Sequence, residues 1–167
     1  QPVQGWARTF LEAAPIAAYQ TDAEGVLVAY NPAAARIWGR RPELGAERWC
    51  GSWNLFSVDG VPIPLETCAM AQALRERRPI FGVEAVIERP DGGRSAILAY
   101  PTPLFDDDGA LVGAINMMVD ISERRAAEDR QKVLVDELNH RVKNTLATVQ
   151  SLAAHSFRSP GDVKAMR

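Results

Sequence analysis

Between Gly113 and Pro160 the chain contains neither glycine nor proline. A stretch of that length without a breaker, rich in Ala, Leu, Glu, Gln, Lys and Arg, folds as one long helix. Upstream the pattern is the opposite: Gly and Pro recur throughout, which enforces short elements joined by turns. The charge divides at the same place. Residues 1–120 hold 10 Arg, no Lys and 15 acids, a net −5, whereas residues 121–167 carry a net +3. A boundary therefore falls at Asp120–Ser122. The 167 residues suit one domain of ordinary size with an attachment.

The first part reads as short strands around a helical middle. Ile16–Thr21 and Val26–Tyr30 flank Asp22-Ala23-Glu24-Gly25, a hairpin turn. Asn31-Pro32 supplies an N-cap and a first-turn proline for a helix over Ala33–Trp38. The turn-rich span from Gly39 to Pro64 is expected to hold only short helices. A better helix is expected over Leu65–Arg77, where Leu65, Ala69, Ala73 and Arg77 form one i+4 row. Three longer strands follow, Phe81–Arg89, Ser95–Phe105 and Leu111–Asp120. They are joined by turns at Asp91-Gly92-Gly93 and Asp106-Asp107-Asp108-Gly109. The last strand is apolar on both parities, which predicts a central strand covered on both faces. The expected class is α+β, a five-stranded antiparallel sheet with helices on one face, followed by a long C-terminal signalling or coiled-coil helix.

Several functions are excluded early. A net charge of −2 gives no support to a nucleic-acid binder. No apolar run approaches the roughly 20 residues that span a bilayer. Cys50 and Cys68 lack CxxC spacing, so neither a structural zinc site nor a secreted disulfide framework is expected, and no metal. No signal peptide is visible and the expected compartment is the cytoplasm. The chain opens at Gln1 without a methionine and reads as an excised segment.

The long helix has a countable seam. Val135, Leu138, Val142, Thr145, Val149, Leu152 and Ser156 alternate spacings of 3 and 4, a coiled-coil register with polar members at Thr145 and Ser156. With Val135 at a, His140 falls at f, outside the seam. Leu146 and Ala153 widen the stripe as a bundle requires. At ~1.5 Å per residue, a helix from Ser122 to Ser156 is about 52 Å long. It should pair with a second copy in parallel.

Two resemblances emerge from these residues. The strands around an acidic-Gly turn, then Asn31-Pro32-Ala33-Ala34-Ala35, then the three-strand finish, resemble a PAS domain. Val119-Asp120-Ile121-Ser122-Glu123-Arg124-Arg125 is similar to the D-I-T-E-R segment that closes many PAS domains and opens a signalling helix. This likeness covers about residues 10–125. Further on, Leu134-Val135-Asp136-Glu137-Leu138-Asn139-His140-Arg141-Val142-Lys143-Asn144 resembles the phosphoacceptor segment of HWE and HisKA_2 sensor histidine kinases, with H-R-V-K-N at its core. The commoner kinase family has an acid directly after the histidine; here Arg141 stands there.

The resemblances imply a PAS sensor domain over 1–120 with its core at about 10–120. A signalling linker would follow over 121–134, then the first helix of a dimerisation and phosphotransfer region over 135–158. Residues 159–167 would be the hairpin turn and the start of a second helix. They imply His140 as phosphoacceptor and a parent that is an ATP-dependent protein histidine kinase using ATP and Mg. The expected partners are the parent's ATP-binding domain, a response-regulator receiver domain and a second copy of this chain. The segment itself should hold no cofactor and be inactive alone. A phosphoacceptor needs an exposed neutral imidazole nitrogen and a group to orient the ring. Glu137, at i−3, is a candidate base or orienter and Asn144, at i+4, a candidate orienter; Asp136 also lies one turn away. Equally, Glu137 and Arg141 can be a plain i,i+4 pair. Arg141 and Lys143 are candidates to meet phosphate or an acidic regulator. Asp120, Ile121 and Ser122 are the expected signal coupling. His155, about 22 Å from His140 along a helix of ~1.5 Å rise, is expected to be structural.

The PAS-like part has no histidine, so it offers no His-ligated haem. Neither cysteine matches the N-C-R-F-L-Q motif of flavin light sensors, and both are expected to be small core residues. Asn116, polar in an apolar strand, requires a ligand, a water or an internal partner. Trp38, Trp49 and Trp53 are expected as core or cover. The competing reading is a non-enzymatic PAS ligand-binding or protein-interaction module with a dimerising helix.

Overall fold

The computed structural model describes residues 12–156, with side chains described for 12–148. These residues fall into two compact units that meet between Glu123 and Arg124.

The first unit is an α+β sheet domain. Strands β1 (Ala17–Asp22) and β2 (Leu27–Tyr30) form a hairpin, and helix α1 (Pro32–Trp38) follows. Then come β3 (Asn54–Phe56), a 3-10 turn (Leu65–Thr67), helix α2 (Ala69–Glu76), and strands β4 (Val83–Glu88), β5 (Arg94–Phe105) and β6 (Leu111–Asp120). Every pairing is antiparallel, and the spatial order is β2-β1-β6-β5-β4-β3. Chain neighbours β5 and β6 pair directly, while β6 closes back on β1, so the two ends of the domain meet at the sheet's centre.

The β1–β2 turn forms because Asp22 serves it twice. Its carboxylate accepts from the Val26 amide at 2.8 Å, and its own amide donates to the Val26 carbonyl at 2.9 Å. Gly25 sits at φ 83°, and a Cβ there would stand 2.3 Å from the Trp49 ring, so this position needs glycine for both conformation and space. In β6, a Cβ on Gly113 would meet the Thr21 carbonyl oxygen at 2.1 Å; the bare backbone lets β1 lie against it.

Helix α1 starts as its sequence dictates. Asn31 caps it, accepting from the Ala34 amide at 2.9 Å, and Pro32 occupies the first turn. The same side chain accepts from the Ala18 amide at 3.0 Å and donates to the Ile16 carbonyl at 2.8 Å, which fastens the helix start to β1. Ala33, Ala34, Ile37 and Trp38 turn inward. Trp38 is fully buried, with Tyr19 and Tyr30 edge-on at 5.2 and 5.5 Å. Leu27, Met70, Ile87, Ile97 and Ala99 complete a core between the sheet and its helices.

Four expectations change. The sheet has six strands, because β3 forms inside the span read as turns and short helices; that span, 39–64, contains no helix. The helix expected over Leu65–Arg77 breaks at Cys68, whose extended backbone (ψ 166°) separates the 3-10 turn from α2. Strand β6 is third in the sheet but is covered on one face only: Val112, Met117 and Val119 are exposed. Trp53 is also exposed, beneath the Arg40 guanidinium at 5.6 Å.

The second unit is helical. Helix α3 runs Ser122–Ser156, with the bounds read from the sequence.

Candidate functional site

The start of α3 is built into the sheet. After β6, the Ile121 amide donates to the Ala96 carbonyl of β5 at 2.8 Å, and the Ser122 hydroxyl accepts from the Ala96 amide at 3.0 Å. The Asp120 carboxylate accepts from the Ser122 amide at 2.9 Å, satisfying a first-turn donor that α3 leaves open. Ser122 therefore spends its hydroxyl on β5 rather than on capping its own helix. Ile121 is buried.

Further along α3, His140 is exposed, as are Val133, Leu134, Val135, Leu138, Val142 and Leu146, each between 48% and 65% exposed. Val135, Leu138 and Val142 form the apolar seam with Leu134 and Leu146 beside it, while Val133 lies on the His140 side. Glu137 reaches Arg141 at 2.5 Å in an exposed i,i+4 pair. Among the described residues, no side chain hydrogen-bonds the His140 imidazole. Asn144 and Lys143 are exposed on the following turn. The side chains of Val149, Leu152, His155 and Ser156, and the turn and second helix expected over 159–167, lie outside the described residues.

The sheet domain has a site of its own. A cavity of about 120 Å³ lies between α2 and the inner face of the sheet, lined in part by Tyr19, Cys50, Cys68, Met70 and Asn116. Asn116 is buried and bonded at both ends of its side-chain amide: its carbonyl oxygen accepts from the Tyr100 amide at 2.9 Å and its Nδ2 donates to the Tyr19 hydroxyl at 3.1 Å. Burial pushes the Tyr19 phenol well up, so it stays protonated with Asn116 as its donor. Cys50 and Cys68 are both buried, as expected of core residues, yet they also line the same cavity. Sequence reasoning missed that proximity, because the 17 intervening residues, turns with a three-residue strand and a 3-10 turn, carry no signal of closure. Among the described residues, no cluster of three or more His, Cys, Asp or Glu side chains could hold a metal ion.

The comparisons with known proteins fit this geometry. Residues 11–126 match the PAS fold family model. The chain belongs to the PAS family. Residues 137–167, which include His140, match the HWE histidine kinase model, so an HWE segment follows the PAS domain. An uncharacterized protein, y4lL of Sinorhizobium fredii, is 24% identical over 141 residues, 84% of this chain; the match spans 16% of that relative's length. An RNA-binding light-oxygen-voltage receptor shares 23% identity at a TM-score of 0.58, over 83% of this chain and 39% of its own. The PAS domain of the fruit-fly ELK potassium channel shares 13% at a TM-score of 0.56, over 73% of this chain and 98% of its own. A sensory box histidine kinase/response regulator from Burkholderia thailandensis shares 17% at a TM-score of 0.53, over 80% and 98%. At these identities the solved structures establish the PAS fold. Among the described residues, no helix is long and apolar enough to cross a membrane.

Proposed function

We propose that this chain is the sensor and phosphoacceptor region of a two-component histidine kinase. The observation that carries the reading is His140, which lies inside the HWE match and stands exposed on α3. In the proposed step, a neutral ring nitrogen of His140 attacks the γ-phosphorus of ATP held by the parent's ATP-binding domain with Mg. The N–P bond forms as the bond to the ADP oxygen breaks, and the proton carried by the other ring nitrogen passes to a base. Glu137 is the proposed base or orienter; it would have to exchange its Arg141 partner for the imidazole. Asn144, one turn on, can orient the ring from the other side. Arg141 and Lys143 supply positive charge for the incoming phosphate and for the acidic site of a response-regulator receiver, whose aspartate takes the phosphoryl group. The exposed Val135, Leu138 and Val142 support a parallel homodimer through α3.

The test is phosphorylation with γ-labelled ATP in the presence of the parent's ATP-binding domain. Wild type should gain acid-labile phosphate and His140→Gln should gain none, with its melting temperature unchanged. Acid-labile label on His140→Gln, or none on wild type, overturns the assignment; the latter favours a PAS interaction module.

A further inference from the structure

The sequence holds two cysteines, and the fold places both on the wall of one cavity. They arrive from different directions: Cys50 from the loop ahead of β3, and Cys68 from the residue that begins α2. Both are free and buried, both line the same cavity, and each thiol shifts the ionisation of the other.

Their surroundings make them unequal. Cys68 is the N-cap residue of α2; its side chain makes no capping hydrogen bond, but the Ala71 and Met70 amides at that helix end favour its thiolate. The Cys50 thiol and these amides, with the Arg75 guanidinium on the same helix, bring Cys68 down to about 7 against the cost of burial. Cys50 moves the other way, held protonated by its contact with Cys68 and by burial. One sulfur is thus a ready nucleophile, and its neighbour keeps a proton.

The cavity is also reachable. Exposed Thr67 and half-buried Ile63, Gln72 and Val83 line it alongside the cysteines. A water-sized guest needs about 10–15 Å³ of such space, so a cavity of about 120 Å³ admits a small molecule. Its mainly apolar lining favours an uncharged one.

We propose that Cys68 and Cys50 form a peroxide-reactive pair, in which a small hydroperoxide entering the cavity oxidises Cys68 and Cys50 resolves it to an intramolecular disulfide. The Cys68 thiolate attacks the near peroxide oxygen, forming an S–O bond as the O–O bond breaks. The leaving oxygen takes a proton and departs as water, or as an alcohol from an alkyl hydroperoxide. The Cys50 sulfur then attacks the sulfenic sulfur, the S–S bond forms, and hydroxide leaves with the Cys50 proton as water. Two thiols lose two electrons and the peroxide gains them. This chemistry is independent of phosphotransfer at His140.

The experiment treats the reduced 167-residue chain with hydrogen peroxide under native conditions, then alkylates it in denaturant for mass measurement. The expected product is a monomer-mass chain lacking two hydrogens, with no alkylatable thiol, restored by dithiothreitol. The rate's pH dependence identifies Cys68 as the attacker. A thiol at about 7 should speed up only about twofold between pH 7 and 9, against about 25-fold for an ordinary thiol near ~8.5. Cys50→Ser should leave Cys68 as a sulfenic acid trapped by dimedone, and Cys68→Ser should leave Cys50 unoxidised. Two free thiols after treatment, a disulfide formed only between chains, or a 25-fold pH rise in wild type would overturn the proposal. The wild-type measurements decide it even where a variant folds poorly.

Discussion

Asn31→Ala should be among the most damaging single-atom-cluster deletions in the PAS unit, and the structure gives its size. The side chain satisfies two amides and one carbonyl, from the start of β1 and the first turn of α1. Losing the cap on Ala34 costs about 1 kcal/mol. The Ala18 amide, in a strand residue that is 4% exposed, would be left without an acceptor at about 1–3 kcal/mol. The Ile16 carbonyl belongs to an exposed residue, and water can replace its bond at a cost near ~0.5 kcal/mol. The total is about 2.5–4.5 kcal/mol, or a fall of roughly 10–18 °C in melting temperature for a domain of this size. Asn31→Asp is the informative companion. It keeps both acceptor bonds but turns a carboxylate oxygen toward the Ile16 carbonyl, so its loss should be about half. Tryptophan fluorescence is the suitable probe, because Trp38, Trp49 and Trp53 all report on the sheet domain while α3 dominates the far-ultraviolet signal. A loss below about 1 kcal/mol for Asn31→Ala, or equal losses for the two variants, would refute the account of this residue as a three-way fastener.

Two further outcomes follow from α3. Ser122→Ala should leave the Ala96 amide without an acceptor, lower stability by about 1–2 kcal/mol, and speed hydrogen exchange at the first amides of the helix; Ser122→Thr should restore both. Leu138→Glu places like charges at the centre of the proposed seam and should shift the chain toward monomer in sedimentation, while the PAS unit melts as before. An unshifted sedimentation profile would place the dimer contact elsewhere.

The elements written most plainly in the sequence are those whose own residues determine them. Strand β6 and helix α3 match the reading to the residue, because one is bounded by Gly109 and a polar segment and the other has no breaker. Strand β3 could not be read that way. Three residues carry no period, and Asn54–Phe56 becomes a strand because β4 offers an edge and the Glu88 carboxylate accepts from the Asn54 side-chain Nδ2 at 3.1 Å. The break at Cys68 was hidden by a periodic row that continues through it; the backbone, not the pattern, shows that Leu65 and Ala69 belong to different turns. Apolar character on both parities of β6 likewise could not say whether anything covers the second face. At the candidate sites the division is similar. The residues around His140 were visible as a local motif, whereas the Cys50–Cys68 pair exists only in three dimensions.

The proposed coupling between the domain and α3 rests on what lies between Asn116 and Ser122. Asn116 lines the cavity and is bonded to β5 through the Tyr100 amide. Four residues later, about 13 Å along a strand at ~3.3 Å per residue, Asp120 holds the Ser122 amide, while Ile121 and Ser122 engage Ala96 of the same strand. No glycine or proline interrupts this run, since Gly113 lies before it. Residues 116–122 are therefore a stiff segment held at both ends to β5, with no hinge to absorb a displacement at the cavity wall. A change there must either be resisted by β5 or appear at Ser122, where the helix begins. Only a cavity state that favours one of two arrangements at that end would make the segment a switch. The peroxide-dependent bond proposed for Cys50 and Cys68, against the same cavity wall as Asn116, is a chemical change of the kind that could supply that preference.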